Sequence, residues 1–152
     1  MKQNTLITLL PVPTGTASAT SQTYLVDVRH RLCAGRRVCV NGSVPPVSSV
    51  RFTLSGTPTA VGNDTYIVSV IVSGETIYQP YTQGCGCQCS RQDFFNEVFE
   101  IPVYSATGVP SVTLTAGDTT STKAIAEEEC CNVTGIISVA SSLLVSVTPP
   151  TA

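Results

Sequence analysis

The chain has no tryptophan, one methionine and one histidine in 152 residues, and only 12 % of those residues are charged. An ordinary globular domain charges about a quarter, so this surface is nearly neutral and built from Ser, Thr, Val and Gly. At a formal net charge of −2, repulsion between copies is weak, which leans toward association. The same balance removes the electrostatic footprint of a nucleic-acid binder or of a partner for acidic membranes. No run approaches the ~20 apolar residues of a spanning helix, so membrane insertion is not expected. There is no phosphate-binding loop and no dinucleotide fingerprint. Serine or cysteine hydrolase chemistry needs a base beside its nucleophile, and the single imidazole, His30, lies among arginines and reads as a surface or half-buried residue. A triad through Cys33 has no supporting neighbour, and the ten acidic residues show no marked glycosidase-type pair. No catalytic residue and no cofactor is assigned, and an enzyme is not expected.

What the chain does hold is cysteine, seven residues of it. Three stand at alternate positions in Gln83-Gly84-Cys85-Gly86-Cys87-Gln88-Cys89. In an extended backbone alternate side chains share a face, so Cys85, Cys87 and Cys89 form a row of thiols. Bonding between neighbours of the row needs a tight, strained loop; partners from elsewhere suit it better, and Cys33, Cys39, Cys130 and Cys131 are the candidates. Seven is odd, and an unpaired cysteine suggests bonding between chains. Cys33 lies near Arg29, Arg31, Arg36 and Arg37, whereas Cys130 and Cys131 follow Glu127-Glu128-Glu129. Positive neighbours favour a thiolate and negative ones disfavour it. The two segments are charge-complementary, and we expect them to approach one another and to bond by exchange. Metal binding by Cys85, Cys87 and Cys89 is the rival use of the row, although structural zinc sites usually show Cys-X2-Cys pairs, which are missing.

Read in order, residues 1–23 form an N-terminal arm whose Leu6, Ile7, Leu9 and Leu10 need an apolar surface. That surface is either the chain's own core, reached by an edge strand, or a neighbour's sheet, reached by strand addition. Lys2, the apolar run and Ala17-Ser18-Ala19 outline a secretory signal. The run is short and closed by Pro11 and Pro13, so no convincing cleaved signal is read. Residues 24–148 carry about eight or nine strand patterns and residues 149–152 a tail. Val26 and Val28 alternate with Asp27 and Arg29. Arg51 to Ser55 reads as a short strand, Gly56 to Asp64 as turn-forming, and Val68, Val70 and Val72 as one buried face. A turn is expected at Ser73-Gly74, and further turns at Ala34-Gly35 and Asn41-Gly42. Phe95, Phe99, Ile101 and Val103 share a face on a strand whose Pro102 marks an edge or bulge. Lys123 to Glu129 could form a short helix. Ile137, Val139, Leu143, Val145 and Val147 line one side of a closing strand. These short strands separated by turn signals indicate an all-β single domain, a two-sheet β-sandwich or jelly roll. Asn41, Asn63 and Asn132 head N-glycosylation triplets, which matter only on a eukaryotic secretory route.

A low-charge sandwich with flanking arms and an odd, clustered set of cysteines resembles the subunits of bacterial endospore appendages. The resemblance is one of architecture and cysteine usage. It implies a jelly-roll subunit that polymerises with copies of itself through strand addition and disulfides into a fibre on the cell or spore surface. Such subunits carry cross-linking cysteines in the N-terminal connector; residues 1–23 here have none, so the role would pass to Cys85, Cys87 and Cys89. The alternative from another class is a metal-binding or carbohydrate-binding sandwich module.

Overall fold

The computed structural model describes residues 4–12, 21–32, 37–39, 46–82, 86–119, 123–129 and 132–151. Among them every regular element is a strand, and each strand pairing is antiparallel. The first sheet runs, in spatial order, through β1 (Asn4–Pro11), β2 (Ser21–Arg31), β11 (Asn132–Thr148) and β10 (Lys123–Glu129). The C-terminal part of β11 also pairs β9 (Ser111–Ala116). The second sheet is β4 (Val47–Gly62), β5 (Thr65–Tyr78) and β8 (Arg91–Tyr104). A small third sheet joins β3 (Arg37–Val38), β6 (Pro80–Thr82) and β7 (Gly86–Cys87). The expected turns at Ala34-Gly35 and Asn41-Gly42 lie outside the described residues.

The two large sheets face each other because each alternates. Ile7, Val26, Val28, Val139, Leu143 and Val145 of the first meet Val68, Val70, Val72, Phe95, Ile101 and Val103 of the second in one buried cluster. Burial of each such side chain is worth about 1.5–3 kcal/mol, so the inward rows hold the sandwich together and fix the register of every strand that contributes to them. The molecule is an all-β sandwich.

Three local expectations change, and one open placement is resolved. The segment from Gly56 does not turn: β4 continues past a register shift between Ser55 and Thr59, where Gly56 takes φ 73°, and reaches Gly62. The reversal is confined to Asn63 and Asp64, at φ 53° and 58°, the two-residue geometry whose twist matches flanking strands. Ser73-Gly74 is not a turn either. Gly74 lies buried in mid-strand between Val50 and Phe95, and a Cβ there would stand 1.9 Å from the Ser49 carbonyl oxygen and 2.7 Å from the Phe95 ring. Its glycine marks a close approach, with the Phe95 ring covering the bare backbone. Lys123–Glu129 is a strand, paired residue for residue with β11 from Asn132 to Ser138; a helix this short is marginal by itself, and the ladder supplies partners that it could not. Finally, Asn4–Pro11 pairs β2 along its whole length, so of the two placements open to the arm the chain adopts the edge strand of its own sheet. Pro102 stands on β8, which is an edge of the second sheet.

Candidate functional site

Chemistry-bearing side chains gather at one end of the sandwich, where β2 leaves the first sheet and the small third sheet covers the gap. The alternation that buries Val26 and Val28 continues one step to His30, which is 4 % exposed. This corrects its reading as a surface or half-buried residue. Its Nε2 lies 2.9 Å from Asp93 Oδ2 and its Nδ1 2.8 Å from Thr5 Oγ1. Asp93 Oδ2 also accepts from the Tyr78 hydroxyl at 2.7 Å, and Oδ1 accepts from Arg91 Nε at 3.0 Å. Burial by itself raises the Asp93 pKa, but the hydrogen bonds from Tyr78, Arg91 and His30, together with the Arg91 charge, outweigh it and hold the carboxyl below its ordinary range. With Asp93 ionised, Nε2 must be a donor; a neutral imidazole then accepts the Thr5 hydroxyl at Nδ1, and a protonated one donates to it.

The order hydroxyl, imidazole, carboxylate is that of a hydrolytic triad. In this fold the three groups also join the two large sheets. The imidazole is enclosed, and the carboxylate oxygen that faces it is shared with Tyr78. What the group accomplishes is a bridge: Thr5 and His30 come from the first sheet, Asp93, Tyr78 and Arg91 from the second. A second apolar cluster, Leu32, Tyr78 and Ile137 with Val38 against it, lies alongside, and the His30 and Tyr78 ring centroids are 6.2 Å apart.

Tyr78 leads directly into the cysteine region. Cys39 N–H donates to the Gln79 carbonyl at 2.7 Å, and Gln88 N–H to the Pro80 carbonyl at 2.8 Å. These bonds align the third sheet so that Cys39 and Cys87 are joined in a disulfide with Cα atoms 5.7 Å apart. Gly135 makes room for the β3 backbone, since a Cβ there would come within 2.9 Å of the Val38 nitrogen. Cys39 is buried and Cys87 exposed; Cys89, two residues on, is a free and exposed thiol. Cys33, Cys85, Cys130 and Cys131 lie outside the described residues. The basic strand β2 and the acidic strand β10 share a sheet with β11 between them, while Cys39 bonds to Cys87. Among the described residues no group of three or more metal-ligating side chains could hold an ion, and no helix is long and apolar enough to cross a membrane.

The arm residues divide by alternation. Ile7 is 6 % exposed and enters the core, Leu9 packs partly against it, and Leu6 and Leu10 point outward at 61 % and 57 %. Leu10 stands opposite Leu25, which is also exposed. Thr5, Tyr78 and Asp93 were not singled out from sequence. The one signal was His30 itself, two residues beyond Val28 on the inward face of β2. Comparison with protein-family models, with curated proteins and with solved structures finds no match.

Proposed function

We propose that this chain is a self-assembling structural subunit, joined to copies of itself by strand addition and stabilised by disulfides, in a filament on a cell or spore surface. The observation that carries the reading is the bare edge at β1, which is longer than the other uncharged edge strand of the large sheets, β9. An edge strand offers unpaired backbone groups, and proteins that stay monomeric guard such edges with charge, proline or bulges. β10 carries Lys123, Glu127, Glu128 and Glu129, and β8 carries Arg91, Asp93, Glu97, Glu100 and Pro102. β1, Asn-Thr-Leu-Ile-Thr-Leu-Leu-Pro, carries no charge and presents Leu6 and Leu10 to solvent. A strand from a neighbouring copy laid along it would gain main-chain hydrogen bonds and cover both leucines. The Cys39–Cys87 bond and the exposed Cys89 thiol support an oxidising location and a covalent contribution.

The test uses full-length protein with Leu6 and Leu10 both replaced by Lys. Both side chains point away from the core, so the fold is retained, and fibres or sedimenting polymer should be lost. Undiminished assembly by the double variant would sink the proposal. Deleting the arm is a poorer experiment, because it also removes Ile7 from the core. The second reading, a metal-binding module built on Cys85, Cys87 and Cys89, loses one of its three ligands while Cys87 is held in the disulfide. Metal analysis of protein purified without chelator separates the two.

A further inference from the structure

Cys87 and Cys89 flank Gln88, whose N–H continues the β6–β7 ladder to the Pro80 carbonyl and whose own carbonyl accepts from Gln79 Nε2 at 3.2 Å. Both side chains are therefore displayed from a fixed stretch of an edge strand. One is a free thiol and the other is half of a disulfide, and the sulfur on the far side of that bond belongs to buried Cys39. An attacking thiolate displaces one sulfur of a disulfide along the S–S axis. Only Cys87 is exposed to such an approach, so Cys39 is the leaving group. Residues two apart in extended chain are about 7 Å apart, at the limit for a bridge, so the thiol beside Cys87 is badly placed to attack within its own chain. A second copy is not so limited.

We infer that Cys89 of one copy attacks Cys87 of another and takes over its disulfide. The inference rests on the assembly reading and names its sulfurs. The Cys89 thiol loses its proton to solvent; its sulfur bonds to Cys87 Sγ as the Cys39–Cys87 bond breaks; the Cys39 thiolate departs and takes up a proton. One disulfide is consumed and one is formed, so no oxidant is required. Because donor and acceptor are neighbours on each chain, two copies facing each other can exchange reciprocally, giving a two-fold pair linked by two bonds. The displaced Cys39 stays beside Cys87 and can reverse the step, so the new linkage accumulates where the strand contacts between the copies hold them together.

The experiment mixes isotopically heavy and light protein in mildly alkaline buffer with chelator and no oxidant, alkylates free thiols at intervals, and assigns linked sulfurs by mass spectrometry without reduction. The expected result is heavy-to-light Cys89–Cys87 linkage, alkylated Cys39 rising in step with it, and a constant total of free thiols; Cys89→Ser abolishes the linkage and leaves Cys39 protected. Covalent pairs that join other cysteines while Cys39 stays protected would overturn the exchange and leave disulfide-locked assembly standing. Assembly with no covalent species would overturn it too, leaving strand pairing alone. Linkage that appears only on adding an oxidant would replace exchange with oxidation.

Discussion

Replacing Asp93 with alanine tests the bridge between the sheets. The substitution removes the acceptor of three side-chain hydrogen bonds, from His30, Tyr78 and Arg91. It strands an imidazole whose side chain is 5 % exposed. Removing one partner of a buried pair costs about 3–5 kcal/mol. The Asp93 side chain keeps 12 % exposure, so water partly resolvates its partners and the low end of that range, about 3 kcal/mol, is expected. That is a large share of the ~5–15 kcal/mol that holds a domain together. In a chain of this length it should lower Tm by about 6–12 °C. Asp93→Asn keeps the shape and an acceptor but loses the charge, and should cost about 1–2 kcal/mol. Urea unfolding followed by circular dichroism measures both. The sign with pH follows from the lowered carboxyl pKa: the ionised form is stabilised by folding, so its contribution is complete above the ordinary value of 3.8 and is lost as pH falls through the lower folded-state value. The gap between wild type and Asp93→Asn should therefore be full above about 3.8, shrink as pH falls from there towards the lower folded-state value, and be gone below it. An Asp93→Ala protein within about 0.5 kcal/mol of wild type, or a gap that stays open in acid, would refute the bridge.

Three further outcomes follow from particular contacts. Gly74→Ala sets a methyl against the Ser49 backbone and should destabilise by about 3 kcal/mol, the upper end for overpacking, in thermal unfolding. The Cys39–Cys87 bond spans 48 residues, for which chain entropy gives about 4 kcal/mol; reductant should lower the urea midpoint by a corresponding amount, with the slope showing whether the unfolded state expands. Ile7→Ala should cost about 2–5 kcal/mol and Leu6→Ala less than about 0.5 kcal/mol, although they are neighbours. Equal effects would mean that β1 is not docked on its own sheet.

Alternation made the inward faces legible, because side-chain direction in a strand depends on position alone. Val68, Val70 and Val72, Phe95, Ile101 and Val103, and the row from Ile137 to Val145 are all placed by a period of two. The breaks were harder, since a glycine signals a turn, a bulge or a close approach with the same letter. Asn63–Asp64 is a turn, Gly56 a bulge and Gly74 the place where Phe95 lies on the backbone; choosing among them requires the neighbouring strand. Lys123–Glu129 has side chains that favour a helix by only tenths of a kcal/mol per residue, and pairing to β11 overrides them. The site depended still more on registers. His30 and Asp93 are 63 residues apart and Cys39 and Cys87 are 48 apart, so the first pairing exists only after the two large sheets are brought face to face, and the second only after β3, β6 and β7 have paired.

The two halves of the site also bear on each other through β1. An N-terminal edge strand held by a single neighbour is the part of a sheet most inclined to fray. Here its first turn of side chains is tied inward at two levels: Ile7 into the core, and Thr5 through His30 to Asp93 on the opposite sheet. The same end is stiffened by the Cys39–Cys87 bond, which pins the third sheet beside Tyr78. An edge meant to receive a strand benefits from that stiffness, because a partner then gains its backbone hydrogen bonds without also having to order the strand that offers them. On the assembly proposal, the buried bridge and the bare edge are one arrangement, with the bridge keeping the edge flat and available. Weakening the bridge should consequently slow assembly even under conditions where the monomer remains folded.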